Sequence, residues 1–285
     1  MPLTKRSEDI TVFKDITIGQ YYPTGSVIHR LDPRTKILLT LCYIVLLFFV
    51  KNLWGYLTAA VFIIVVVLIS KIPFSYVLRG LKGIIFIICF TMILNVFMTP
   101  GTAIAKFGIF TITKEGIAVS VYMAVRLILL VAGTSVMTLA TTPMDLTDGM
   151  EYGLRLIPGL RRFAHELSMM MSIALRFIPT LMEETDKIIK AQKARGADFE
   201  TGNLISRAKA LVPIMVPLFV SAFRRADELA TAMEARCYRG GENRTRMKVL
   251  KMTKLDAIAL VVFVLFTAMI IAMNQLPLPL PFPFD

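Results

Sequence analysis

Long uncharged apolar runs constrain this chain more than any other feature. Crossing the hydrocarbon core of a bilayer takes about 20 predominantly apolar residues. Five stretches approach that length: residues 37–50, extended through Lys51 to Trp54; residues 52–70, rich in Val and Ile; and residues 84–98, 117–140 and 255–273. The first and third have short uncharged cores, so their ends must lean on snorkelling Lys51 and Lys82. Lys5, Arg6, Glu8 and Asp9 open the chain, and no apolar run begins before Ile37. That pattern lacks the features of a secretory signal and predicts a retained first helix.

Composition sharpens the question. A mean hydropathy of +0.67 with 56% hydrophobic residues excludes disorder, and three cysteines in 285 residues exclude a disulfide scaffold. Yet the net charge is +12. Such a charge serves either nucleic acid or one side of a membrane. Of the 32 Lys and Arg residues, 28 fall on one side of the five runs: in residues 1–36, in the loop carrying Lys71, Arg79 and Lys82, and in residues 141–254. The positive-inside rule makes that side cytoplasmic, with the N-terminus cytoplasmic and the C-terminus external. This topology accounts for the excess without nucleic acid, and no aromatic-interleaved basic groove appears. One cation, Arg126, lies deep in a run, where a backbone carbonyl is its simplest partner. The sequence therefore predicts an all-α polytopic membrane protein of about five transmembrane helices plus a cytoplasmic helical domain. Residues 1–36 form a cytoplasmic segment, 37–140 a four-helix membrane region, 141–254 the cytoplasmic domain and 255–275 the fifth span. Residues 276–285, with Pro at every second position from 277, read as an extended external tail.

Residues 141–254 are too many for a structureless connection. Thr142-Pro143-Met144-Asp145 reads as a helix start with a capping box, and Pro158-Gly159 as an interruption. A Met-rich run leads to Pro179, and a polar–apolar helix is expected at about 180–195, stopped by Gly196. A second helix is expected at about 217–236, after the apolar run 211–223 with Pro213 and Pro217. A shift of 41 residues superimposes the two: Asp186 falls on Asp227, Ala191 on Ala232, Ala194 on Ala235 and Arg195 on Arg236. Both copies end in Ala-Arg plus a small residue. Arginine there complements the helix dipole. It also offers a planar fork of donors to a carboxylate, on a helix end that Ala keeps slim enough to enter a groove.

Catalytic chemistry is missing. His29 and His165 lack metal-ligand neighbours, and there is no phosphate-binding Gly-rich loop, no metalloprotease motif and no nucleophile elbow. The chain reads as a non-enzyme. The runs also lack the interior carboxylates of an ion-coupled carrier. A stand-alone secondary transporter or channel is the rival reading.

The paired Ala194-Arg195-Gly196 and Ala235-Arg236-Cys237, with Tyr22-Pro23, Ser26 and His29-Arg30-Leu31-Asp32-Pro33-Arg34 near the N-terminus, resemble the transmembrane T component of energy-coupling factor transporters. The resemblance implies an L-shaped helical subunit in the plasma membrane. It implies two cytoplasmic ABC-type ATPase subunits (EcfA and EcfA′) docked by two coupling helices through Arg195 and Arg236. It implies a separate membrane S component that captures a vitamin or another micronutrient and is reoriented by ATP-driven closure. ATP and Mg would bind the ATPases, and no cofactor this chain. Met169, Met170, Met171, Met215, Leu218, Phe219 and Phe223 are either the contact face for the S component, since Met adapts to exchangeable partners, or the segment's own core. Cys237 departs from the family's Gly. Cys adopts positive φ poorly, so the second helix is expected to continue to Tyr238 or Arg239 and to stop at Gly240-Gly241. On that asymmetry the two motifs would meet two different ATPase subunits.

Overall fold

The computed structural model describes residues 21–107, 110–197, 204–240 and 250–275. The first twenty residues and the expected tail 276–285 lie outside them. The described chain divides into two compact units, one of residues 21–150 with 250–275, the other of residues 151–240.

The first unit is built from α1 (Pro33–Phe48), α2 (Leu53–Ser70), α3 (Phe74–Lys82), α4 (Ile85–Met98), a hairpin of β1 (Ala103–Phe107) and β2 (Phe110–Thr113), α5 (Lys114–Ala140) and α9 (Lys254–Asn274). Three of its helices, α2, α5 and α9, are long and apolar enough to cross a membrane. A fourth crossing is available if α3 and α4, bent by 58° at Gly83–Ile84, count as one broken span. The expected first span is the 16-residue α1. At 1.5 Å per residue it is roughly 24 Å long, short of the ~30 Å core.

Helix α5 is the axis of this unit and packs against α1, α2, α3 and α4. Gly133 permits the closest approach: a Cβ there would lie 2.4 Å from the Tyr43 ring. The buried Tyr43 hydroxyl then reaches the Leu129 carbonyl at 3.1 Å. Phe62 and Phe266 stack at 3.9 Å between centroids and join α2 to α9. Arg126 behaves as expected of a cation without a carboxylate. Its Nε donates to Tyr56 Oη at 2.9 Å and its Nη2 to the Val50 carbonyl at 3.4 Å, over the faces of Phe48 and Tyr56. The short antiparallel hairpin before α5 was not foreseen. It follows from an alternation of Ala, Ile, Lys, Phe and Thr that sits between two apolar runs.

The segment before α1 stitches the helix ends together. Tyr22 N–H donates to the Leu139 carbonyl of α5 and the Thr24 hydroxyl to the Ser70 carbonyl of α2. His29 closes the turn: Nε2 lies 2.8 Å from the Tyr22 carbonyl and Nδ1 2.7 Å from Ser26 Oγ. Burial lowers its pKa, which favours the neutral ring with Nε2 as donor. Buried Lys36 donates Nζ to the His29 and Ala140 carbonyls at 3.0 and 2.9 Å. Asp256, fully buried, accepts from Asp32 N–H at 2.8 Å. It also accepts from the backbone and hydroxyl of Thr253, closing a capping box on α9. Helix α6 (Pro143–Arg155) starts at the Thr142–Asp145 pair read from the sequence: Asp145 N–H donates to Thr142 Oγ1 at 3.1 Å, and the Thr142 hydroxyl donates to Asp145 Oδ2 at 2.8 Å.

The second unit holds α7 (Arg161–Ala194) and α8 (Leu204–Ala235). The break at Pro158-Gly159 is present, with Gly159 at φ +91°. The expected breaks at Pro179, Pro213 and Pro217 are absent, because both helices run through their prolines. Each expected coupling helix is thus the C-terminal part of a helix of more than 30 residues. A helical proline leaves the carbonyl four residues earlier without its donor. For Pro217 that carbonyl belongs to Pro213, and Gln192 of α7 supplies Nε2 at 3.3 Å. The partner helix makes the interruption tolerable.

Candidate functional site

The two Ala-Arg ends adopt one geometry. At the end of α7, Gly196 N–H donates to Lys193 O and Ala197 N–H to Gln192 O, both at 3.0 Å. At the end of α8, Cys237 N–H donates to Glu234 O at 2.8 Å and Tyr238 N–H to Met233 O at 3.0 Å. Both are Schellman caps, with arginine at the C-cap and a left-handed residue after it. The left-handed residues are Gly196 at φ +87° and Cys237 at φ +55°. The expected continuation of α8 past Cys237 is therefore wrong. Two cap hydrogen bonds outweigh the roughly 1–2 kcal/mol that a Cβ costs in this conformation. The proposed asymmetry of the two ends loses its backbone basis. What differs is the side chains, Cys237-Tyr238 against Gly196-Ala197. Replacing Cys237 by Gly is expected to relieve that strain and to raise stability by about 0.5–1 kcal/mol. Thermal unfolding in detergent measures it, and a lower midpoint would mean that the thiol makes a stabilising contact.

Ala194, Arg195, Gly196, Ala235, Arg236 and Cys237 are all exposed. Helices α7 and α8 run antiparallel, since Gln192 meets Pro213 while Met169 meets Tyr238. The two arginines therefore sit at opposite ends of the pair. About 26 residues of α7 separate Arg195 from the level of Arg236, on the order of 39 Å of helix. Midway, Glu184 accepts from the Ser221 hydroxyl and from Arg225 Nη2, the latter at 3.2 Å. The Ser221 hydroxyl first, then Arg225, hold the Glu184 carboxyl below the usual carboxylate range. Residues 184 and 225 are equivalent under the 41-residue shift, so this cross-link joins the same position of the two copies. The sequence reading missed Glu184, Ser221, Arg225 and Tyr238. The opposite charges at equivalent positions 184 and 225 were the available signal.

Beside the second arginine lies a cleft of about 480 Å³. Met169, Ile173, Leu229 and Met233 form its floor, and Arg236 and Arg239 stand at its lip. The Tyr238 hydroxyl reaches Met169 Sδ at 2.9 Å. Met169 thus packs within the pair. Of the expected contact residues, Leu218 is also half-buried, whereas Met170, Met171, Met215, Phe219 and Phe223 are exposed, Phe223 by 71%. On α8, Val212, Met215, Val216, Phe219, Val220 and Phe223 form an apolar stripe at helical spacing. The apolar run 211–223 is thus mostly a surface, with Ile214 its buried member.

The family model described as CbiQ, cobalt transport protein, matches residues 24–247. An energy-coupling factor transporter transmembrane protein EcfT of Thermosediminibacter oceani is 58% identical over 248 residues, covering 87% of this chain and 94% of the relative. The protein of that name from Ruminiclostridium cellulolyticum is 53% identical over 92% of this chain and 98% of its own length. The one from Bacillus subtilis is 46% identical over 89% and 96%.

Proposed function

Given that this chain belongs to the family of energy-coupling factor transporter transmembrane proteins, we propose that it couples ATP hydrolysis by two cytoplasmic ATPase subunits to reorientation of a membrane S component. The S component would carry a vitamin or another micronutrient inward. The observation that carries this reading is the pair of equivalent, exposed, arginine-capped helix ends at opposite ends of α7 and α8. Each presents a guanidinium at a rigid cap, suited to bidentate pairing with a carboxylate in an ATPase groove. Two sites this far apart suit two ATPase subunits. The exposed apolar stripe of α8, with Met170 and Met171 of α7, exceeds what a solvated helix pair presents and suits an exchangeable membrane partner. The chain itself contributes no hydrolysis. Its basic side, with the N-terminus, faces the cytoplasm of the plasma membrane, and the C-terminus lies outside.

Reconstitution in liposomes tests this reading. Uptake should require ATP, the co-purifying ATPases and an S component together. Uptake by this chain alone under an ion gradient would establish the rival stand-alone transporter.

A further inference from the structure

Helix α3 is too short to cross a membrane. Its nine residues give roughly 14 Å. It connects the end of α2, a long apolar helix that stops at Ser70, to the start of the apolar α4, from which it is bent by 58°. Its surface is sorted into faces. Val77 is buried, and at Gly80 an added Cβ would lie 2.8 Å from Ser135 Oγ, so this side packs on α5. Phe74 and Leu78, one turn apart, are exposed, Leu78 by 59%. Lys82 continues the row one turn beyond Leu78, Arg79 is exposed beside it, and Lys71 is exposed just before the helix. Arg79 lies 4.9 Å from the centroid of the Tyr76 ring. Among the described residues none of the three cations forms an ion pair. The sequence offers no local remedy, since it contains no Asp or Glu between Asp32 and Glu115.

We propose that α3 lies in the plane of the membrane–water interface and binds anionic phospholipid headgroups through Lys71, Arg79 and Lys82. An interfacial helix needs an apolar side to enter the acyl boundary and cations beside it at headgroup level. Phe74 and Leu78 supply the first, and Arg79 and Lys82 the second. The position fixes the depth. Ser70 ends a helix long and apolar enough to cross, and α3 follows it before the apolar α4 begins at Ile85. Tyr76 adds an aromatic at the same level, where such rings collect. The occupant is the phosphodiester of a lipid, because an apolar side flanks the cations and a free phosphate would use only the charge.

The test uses the full-length chain purified in mild detergent with its bound subunits. It is titrated with phosphatidylglycerol or phosphatidylcholine, and bound lipid is counted by native mass spectrometry. Wild type should prefer phosphatidylglycerol. Lys71→Gln, Arg79→Gln and Lys82→Gln should each weaken that preference roughly fivefold, and together abolish it while phosphatidylcholine binding persists. Lys51→Gln with Lys114→Gln, cations at other helix ends, should leave it intact. An unchanged preference in the triple variant would overturn the proposal. So would displacement of phosphatidylglycerol by millimolar inorganic phosphate, which would mark a free-anion site. Loss of the bound subunits with lipid preference kept would assign the surface to an acidic protein instead. If the triple variant does not assemble, the single variants carry the same readout.

Discussion

Reversing both cap arginines, Arg195→Glu with Arg236→Glu, is expected to strip the proposed ATPase subunits from the complex. Removing one partner of a buried, hydrogen-bonded charge pair costs about 2–5 kcal/mol. Two such losses lower affinity on the order of a thousandfold or more. Because the ends are far apart and share no neighbour, the single substitutions should add. Each alone should leave a weakened complex, and the pair almost none. Both arginines are exposed and cap their helices mainly through backbone hydrogen bonds, so the variant should insert and fold. Co-purification with the tagged chain and ATP-driven uptake are the readouts. Retention of both subunits with full uptake would refute the docking role.

The second large effect concerns stability. Asp256→Ala should destabilise the membrane unit by about 3 kcal/mol. It deletes the carboxylate that receives Asp32 N–H and two groups of Thr253. A buried donor is left without its partner, and the capping box of α9 opens. The tie between the segment before α1 and α9 is lost at the same time. Thr253→Ala removes only the hydroxyl side of the box and should cost about 1 kcal/mol. Unfolding in mixed micelles distinguishes the two. Equal effects would mean that the Asp32 contact contributes nothing.

The membrane helices were legible because lipid demands length and apolarity together, and residues 52–70, 117–140 and 255–273 supply both. The caps were legible where they rest on a local pattern, as at Thr142–Asp145. Three features were hidden for physical reasons. Proline in a helix reads as a stop, yet Pro179, Pro213 and Pro217 are spanned, and Gln192 of the neighbouring helix answers one of the freed carbonyls. That donor is invisible to any local reading. Cys237 reads as a poor left-handed residue, yet the cap's two hydrogen bonds impose the conformation. Helix α3 falls in the stretch read as a loop between two runs, because its charges at Arg79 and Lys82 mask a short helix that bends into the run 84–98 at Gly83–Ile84. The candidate site was legible as two motifs. Their relation to each other was not, because it depends on how α7 and α8 lie side by side.

The bond of Glu184 to Ser221 and Arg225 has a mechanical consequence. It fastens the two helices at a point 11 residues short of each arginine, since 184 precedes 195 by the same interval as 225 precedes 236. The stretches beyond it, 185–194 and 226–235, contain no proline. Pro179, Pro213 and Pro217 all precede this bond in their own helices. With Gln192 on the Pro213 carbonyl near one arginine and Tyr238 on Met169 near the other, the pair is tied at both tips as well as in the middle. Such a pair is expected to move as one bar, so that a push on either arginine is carried to the other end.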